Sequence, residues 1–193
     1  DVCSSDLESG DLNFEYAAQV IPYVGDFSYN KALNMAFEHL TSNYVGVFNN
    51  DVLFTEDWYS FLRYYMDIFN LDCASPWCPL RQNGVNPMIQ SKILAYPPDC
   101  VVSGYEPISH FAGWGWVMKR EVLEKLRPFP EDLTFWFQDN HICNQLATMK
   151  YKNATVTASK VVHFGQQSYT LIDPNQLHDM THGLFQTFIK KWM

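Results

Sequence analysis

Four short stretches carry the side chains best suited to chemistry. The apolar run 44–48 ends on Asn49, Asn50 and Asp51. An Asn-Asn-Asp cluster after a strand is either a turn, stabilised by side-chain to backbone bonds, or the seat of a hard cation. His163 ends the alternating run "KVVHF", where an imidazole is either a satisfied, partly buried side chain or the partner of a carboxylate on a metal. Asp139 in "FWFQDN" follows three aromatic residues. It reads as a helix N-cap or as a general base in an apolar cleft, where desolvation keeps its pKa useful. "GWGW", residues 113–116, places Trp114 and Trp116 on one face of a strand, with glycines that allow close backbone approach. Two indoles in that setting, with Trp136 as a further wall, suit a sugar ring.

These groups need a scaffold, and the hydrophobic pattern supplies one. "AAQVIPYV" (17–24) reads as a strand. "SYNKALNMAFEHL" (28–40) has helical spacing, with Ser28 as N-cap and Leu33, Ala36, Phe37 and Leu40 on one face. "YVGVF" (44–48) reads as a buried strand. Thr55 is then expected to cap a helix with Glu56 and Asp57 in its first turn, where the helix dipole favours acids. Trp58, Phe61, Leu62, Tyr65 and Phe69 would form its apolar face. "CASPW" (73–77) is a strand, residues 78–93 a loop, 113–119 extended, 120–126 and 139–150 helices, and 154–164 a strand. Asp173-Pro174 opens a last helix as N-cap and first helical residue. Strands alternating with helices predict a single α/β sandwich whose ligands bind beyond the carboxyl ends of its strands, where Asn49–Asp51 fall.

Composition narrows the classes. The chain has 193 residues, 47% hydrophobic and 18% charged, enough for one globular core. Its net charge of −8 disfavours nucleic acid and acidic membranes, and repels a phosphorylated ligand unless a cation bridges the two. No apolar run approaches the ~20 residues of a membrane span. The polar, acidic start predicts no signal peptide. Five cysteines, an odd number without a C-x-x-C pair, predict a reducing, cytoplasmic setting rather than a disulfide framework. A zinc site from Cys73, Cys78, Cys100 and His110 matches no common spacing. The sequon at Asn153 carries no meaning in such a compartment.

The first seven residues, "DVCSSDL", are what GACGTGTGCTCTTCCGATCT encodes once its last codon is completed. That string resembles the end of a sequencing adapter. Residues 1–7 are therefore expected to be an artefact, leaving one domain fragment over 8–193.

In order, "SYNKALNMAF", "VFNNDVLFTEDW", "FAGWGWVMKREVLEKL", "FWFQDNHICNQL" and "VVHFGQQS" resemble the family-2 glycosyltransferases of the GT-A fold, over about residues 20–193. The closing "FIKKWM" is similar to the ends of small bacterial and phage members. The resemblance implies a Rossmann-like sandwich with a mixed sheet. It also implies an inverting, hexosyltransferase-like enzyme that moves a sugar from a nucleotide-diphosphate donor to a saccharide or other hydroxyl acceptor. Asn49-Asn50-Asp51 takes the place of the D-x-D motif. Asp51 would then hold Mn²⁺ or Mg²⁺, with His163 completing the site and Asn49, Asn50 and Asn30 near the donor. Asp139 matches the base of the E-D motif. Gly113 and Trp114, with Trp116, Trp136 and Gln138, fall in the acceptor and sugar pocket.

Two positions depart from the family pattern. Asn49 replaces an acid, and Gln138 replaces the Glu before Asp139. The strand–helix–strand unit that holds the base in such enzymes needs ~30 residues or more before Asn30, and is expected to be missing. The rival readings are a catalytically silent carbohydrate- or nucleotide-binding module on the same fold, and a metal-dependent hydrolase.

Overall fold

The computed structural model describes residues 3–4, 19–26, 28–79, 101–103, 113–165 and 173–193. Its elements are β1 (Cys3–Ser4), β2 (Gln19–Val20), α1 (Tyr29–Phe37), β3 (Tyr44–Phe48), β4 (Val52–Phe54), α2 (Trp58–Ile68), β5 (Cys73–Trp77) and β6 (Val101–Ser103). They continue with β7 (Gly115–Lys119), α3 (Arg120–Leu126), α4 (Gln138–Thr148), β8 (Asn153–His163) and α5 (Pro174–Trp192). The main sheet runs β3-β7-β5-β8-β4, with β6 also on β8. It is mixed: β5 and β8 are parallel, while β3–β7, β5–β7, β4–β8 and β6–β8 are antiparallel.

Period-2 alternation divides the core into two layers. Trp116 and Met118 of β7 face one way, with Val122, Leu123 and Leu126 of α3 and Ile142 and Leu146 of α4. Val117 faces the other way, against Leu62 and Met66 of α2 and Ala154 and Val156 of β8. The expected α/β sandwich with a mixed sheet is the observed fold.

Several local signals act as their chemistry dictates. The Lys31 N–H donates to Ser28 Oγ at 3.4 Å, and the Asn175 and Gln176 N–H groups donate to the Asp173 carboxylate at 2.9 and 3.2 Å. Each cap satisfies a donor that the first helical turn cannot.

The start of α2 departs from expectation. Thr55 does not cap it; its hydroxyl donates to Lys160 O on β8 at 2.6 Å. Asp57 holds the N-cap place in the left-handed region (φ 59°) without a side-chain cap bond, so neither Glu56 nor Asp57 lies in the first turn. A second clamp from β8, Ser159 Oγ donating to Trp58 O at 2.7 Å, fixes where the helix begins. Its buried face also differs. Leu62 and Met66 point inward, while Phe61 and Phe69 are exposed. Trp58, Leu62 and Tyr65 of the expected face do pack against the core, whereas Phe61 and Phe69 flank it and Met66 takes the inward place.

The loop before α4 is bound to α1. Ser28 Oγ donates to Glu131 O at 2.9 Å, Asn30 Nδ2 to Pro130 O at 2.8 Å, and Asn34 Nδ2 to Phe129 O at 3.0 Å. The Phe129 N–H returns a bond to Asn34 Oδ1 at 3.0 Å, and the Tyr29 N–H donates to Thr134 O at 2.8 Å. These bonds hold the entry to α4, and with it Asp139.

Candidate active site

Asp51 sits in the turn between β3 and β4, and the sheet aims it. Val52 pairs with His163 across β4 and β8, so the residue before Val52 faces the end of β8. The pairing continues past the strands: the Phe164 N–H donates to Asp51 O at 3.0 Å, and the Gly165 N–H to Asp51 Oδ2 at 2.9 Å. Gly165 has φ 58°, the left-handed backbone that glycine adopts without strain. The other carboxylate oxygen, Asp51 Oδ1, lies 3.1 Å from His163 Nε2. It is buried and accepts no hydrogen bond among the described residues.

An aromatic wall steadies this pair. The Phe48 ring meets Phe54 edge-on at 4.9 Å and Trp58 at 5.1 Å, bracing the strands on either side of the turn. A Cβ on Gly115 would lie 2.8 Å from that ring, so glycine is what lets it settle on the β3–β7 pair. The Asn49 N–H donates to Trp114 O at 2.8 Å. The Trp114 indole stacks on His163, centroids 4.9 Å apart and planes at 19°. The His163 N–H donates to the buried Cys78 Sγ at 3.3 Å. Ring and backbone of His163 are thus both held.

Asp139 arrives from another layer. Phe137, at φ 67°, holds the N-cap position of α4, and Asp139 lies in the first helical turn rather than at the cap. Its Oδ1 accepts from the Asn140 N–H at 2.9 Å. The carboxylate rests directly on Gly113, where a Cβ would come within 2.5 Å of Oδ2. Gly113 precedes Trp114, so the chain connects Asp139 to the ring stacked on His163. Burial, then the Asp139 charge, push the Tyr29 phenol well above its ordinary range and keep it neutral.

The other candidates divide. Asn49 and Asn50 are exposed in the turn beside Asp51. Gln138 is buried at the start of α4, and its Nε2 has no hydrogen-bond partner among the described residues. Trp136 is half-buried, edge-on to Phe135 at 4.9 Å. Trp116, only 1% exposed, is a core ring and offers no face to a sugar. Asn30 is buried at the start of α1, its Nδ2 spent on Pro130 O, while its Oδ1 accepts no hydrogen bond among the described residues. Cys73, Cys78 and Cys143 are buried and form no disulfide among the described residues; Cys100 and His110 lie outside them. Asn153, in the sequon, is buried at the start of β8. One pattern was missed in the sequence: "HDMTH", His178 to His182, which places two imidazoles four residues apart on α5.

The residues fit a divalent cation. A buried carboxylate oxygen without a hydrogen bond faces an imidazole nitrogen at 3.1 Å. Adjacent corners of an octahedron with ~2.1 Å bonds are about 3 Å apart. Among the described residues no group of three or more His, Cys, Asp or Glu surrounds such a point. The remaining positions would fall to water and to oxygen atoms of a ligand.

The mixed α/β sheet is that of the GT-A glycosyltransferase folds. The sequence model of glycosyl transferase family 2 matches residues 12–127, and the chain belongs to that family. No curated protein matches the chain in sequence. Among solved structures, GalNAc-T7 with UDP, GalNAc and Mn²⁺ superposes with a TM-score of 0.60 at 15% identity, over 81% of this chain and 34% of that one. The mannosyltransferase PcManGT from Pyrobaculum calidifontis, with GDP-Man and Mn²⁺, gives 0.57 at 22%, over 79% and 41%. Glucosyl-3-phosphoglycerate synthase from Mycobacterium tuberculosis, with Mn²⁺, UDP-glucose and glycerol 3-phosphate, gives 0.54 at 13%, over 90% and 60%. At these identities the likeness is one of fold, and the chain spans between about a third and 60% of those proteins' lengths. Among the described residues, no helix is long and apolar enough to cross a membrane.

Proposed function

We propose that the protein transfers a sugar from a nucleotide-diphosphate donor to an acceptor hydroxyl, with inversion at the anomeric carbon. The reading places it in the cytoplasm with a saccharide acceptor, and extends the donors and Mn²⁺ named for the similar structures to this chain. One observation carries it: the Asp51–His163 pair, 3.1 Å apart, lies in one connected framework with the Asp139 carboxylate through Trp114 and Gly113.

Asp51 Oδ1 and His163 Nε2 would hold Mn²⁺ or Mg²⁺. When bound, the cation supplies Lewis-acid stabilisation to the leaving diphosphate. It also offsets the protein's charge of −8, which otherwise repels the donor. The Gly165 N–H fixes Asp51 Oδ2, leaving Oδ1 for the cation. Trp114 and Cys78 hold the imidazole in place. Asp139 accepts the proton of the acceptor hydroxyl as that oxygen attacks the anomeric carbon; the carbon–oxygen bond to the diphosphate breaks, and the nucleoside diphosphate leaves. Asn49 and Asn50, exposed beside Asp51, are placed to donate hydrogen bonds to the donor. Gln138, whose buried Nε2 has no hydrogen-bond partner among the described residues, can donate to the sugar or the acceptor.

The test is turnover of UDP- and GDP-hexoses by the full chain with Mn²⁺ and a panel of methyl glycosides. Asp139→Asn should lower kcat by ~10²–10⁴-fold while donor binding persists. Asp51→Ala should abolish metal-dependent turnover. Donor binding that Asp139→Asn leaves intact, without turnover in any form, would favour a silent binding module. Donor cleavage indifferent to acceptor would favour a hydrolase.

A further inference from the structure

The "HDMTH" segment of α5 contributes none of the residues of the proposed transferase site, and its donors are two imidazoles rather than a carboxylate–imidazole pair. His178 and His182 are four residues apart on a 19-residue α-helix, so they project from the same face on consecutive turns. Their rings lie parallel, at 5° with centroids 6.5 Å apart. Together with Thr181, Phe185 and Phe137 they line a shallow pocket of about 230 Å³. His178 is 80% exposed, and its Nδ1 lies 3.5 Å from Asp179 Oδ1.

Two imidazoles at this spacing on one helix face are the arrangement by which helices chelate zinc. Cβ atoms at i and i+4 are ~5–6 Å apart, and rotation of two exposed side chains brings their nitrogens onto one ion. Asp179, 3.5 Å away and not hydrogen-bonded, is near enough that a small rotation would let it hold a proton on Nδ1 and leave the Nε2 lone pair for a metal. Phe137 and Phe185 form an apolar floor beside the donors.

We propose that His178 and His182 form a second, borderline-metal site for Zn²⁺ or Cu²⁺, with open positions filled by water or an exogenous ligand. The two sites divide cations by hardness. The carboxylate site at Asp51 suits Mg²⁺ and Mn²⁺, whereas a bis-imidazole site prefers the later transition metals. A chelate across one turn also staples the exposed first half of α5, next to Phe137 and the start of α4.

The experiment is calorimetric titration of Zn²⁺ into the full chain carrying Asp51→Ala, in excess Mg²⁺, so that the first site does not contribute. One Zn²⁺ should bind. His178→Gln or His182→Gln should weaken it at least tenfold, and the double variant should abolish it. Hydrogen exchange supplies a second reading: Zn²⁺ should slow the amides of residues 178–182 only when both histidines are present. Both side chains are exposed, so the variants retain the fold. No Zn²⁺ uptake in the Asp51→Ala chain, or undiminished uptake by the double variant, overturns the proposal. Failure of transferase activity leaves it untouched, because no step of the titration uses a sugar donor.

Discussion

Gly113 and Trp114 show how single residues set the site. The family resemblance puts both in the acceptor and sugar pocket; in the fold Gly113 lies directly against the Asp139 carboxylate and Trp114 stacks on His163. A Cβ at Gly113 would lie 2.5 Å from Asp139 Oδ2, so Gly113→Ala must displace the carboxylate. A fall in kcat of about tenfold or more, with an unchanged donor Kd, is expected from displacing a general base. Trp114 stacks on His163, with centroids 4.9 Å apart. Trp114→Ala should therefore weaken Mn²⁺ binding by roughly 10–100-fold, as loss of an outer-shell partner does, and Trp114→Phe should restore most of it. Calorimetric Mn²⁺ titration of the two variants distinguishes a positioning role from simple loss of packing. Asp139 itself was legible as an acid after "FWF", but its place in the first turn was not. That depends on Phe137 entering the left-handed region, which its side chain does not favour and the packing around it maintains. Its ring stacks on Phe188 of α5 at 5.5 Å.

At the scale of elements, α2 is the informative case. Its existence follows from sequence, but its start and buried face are decided by β8, through the bonds to Thr55 and Trp58. Leu62 is wholly buried and Phe61 is 47% exposed. Leu62→Ala should cost ~2–5 kcal/mol by cavity formation. Phe61→Ala should change stability by about 0.5 kcal/mol or less, as surface substitutions do. Urea denaturation of the two variants decides between the observed face and the one that aromatic spacing suggests. By contrast α1 and α5 were legible at their starts, because Ser28 and Asp173 cap through bonds that reach only two or three residues.

For the whole molecule, α5 closes the fold against α4. Trp192 Nε1–H donates to His141 Nδ1 at 3.1 Å, and Lys191 pairs with Asp132 at 2.7 Å. Burial, then the Lys191 charge, lower the His141 pKa from 6.5 to about 4, against the opposing pull of Asp132. Between those values the unfolded chain binds more protons than the folded one. Stability from this group is complete above pH ~6.5 and falls as pH drops towards about 4. The urea midpoint should decline over that window, and His141→Phe should flatten the decline while losing the Trp192 bond at all pH values. Following tryptophan fluorescence through urea unfolding of the chain and of His141→Phe at several pH values tests this.

The sequence by itself determined the alternation of strands and helices, the α/β class, and three candidate groups in the order Asp51, Asp139, His163. Those depend on side-chain period and short-range capping, which need no distant partner. Only the tertiary structure decided that Asp51 and His163 meet, because β4 and β8 pair across more than a hundred residues. It also decided that Trp114, in the turn just before β7, stacks on His163 while Trp116 within β7 does not: both rings are buried in one core cluster, and what covers each comes from elsewhere in the chain. A strand's pattern states which residues turn inward. It cannot state what they turn towards, since that contact is made by segments whose closure is set by the whole fold.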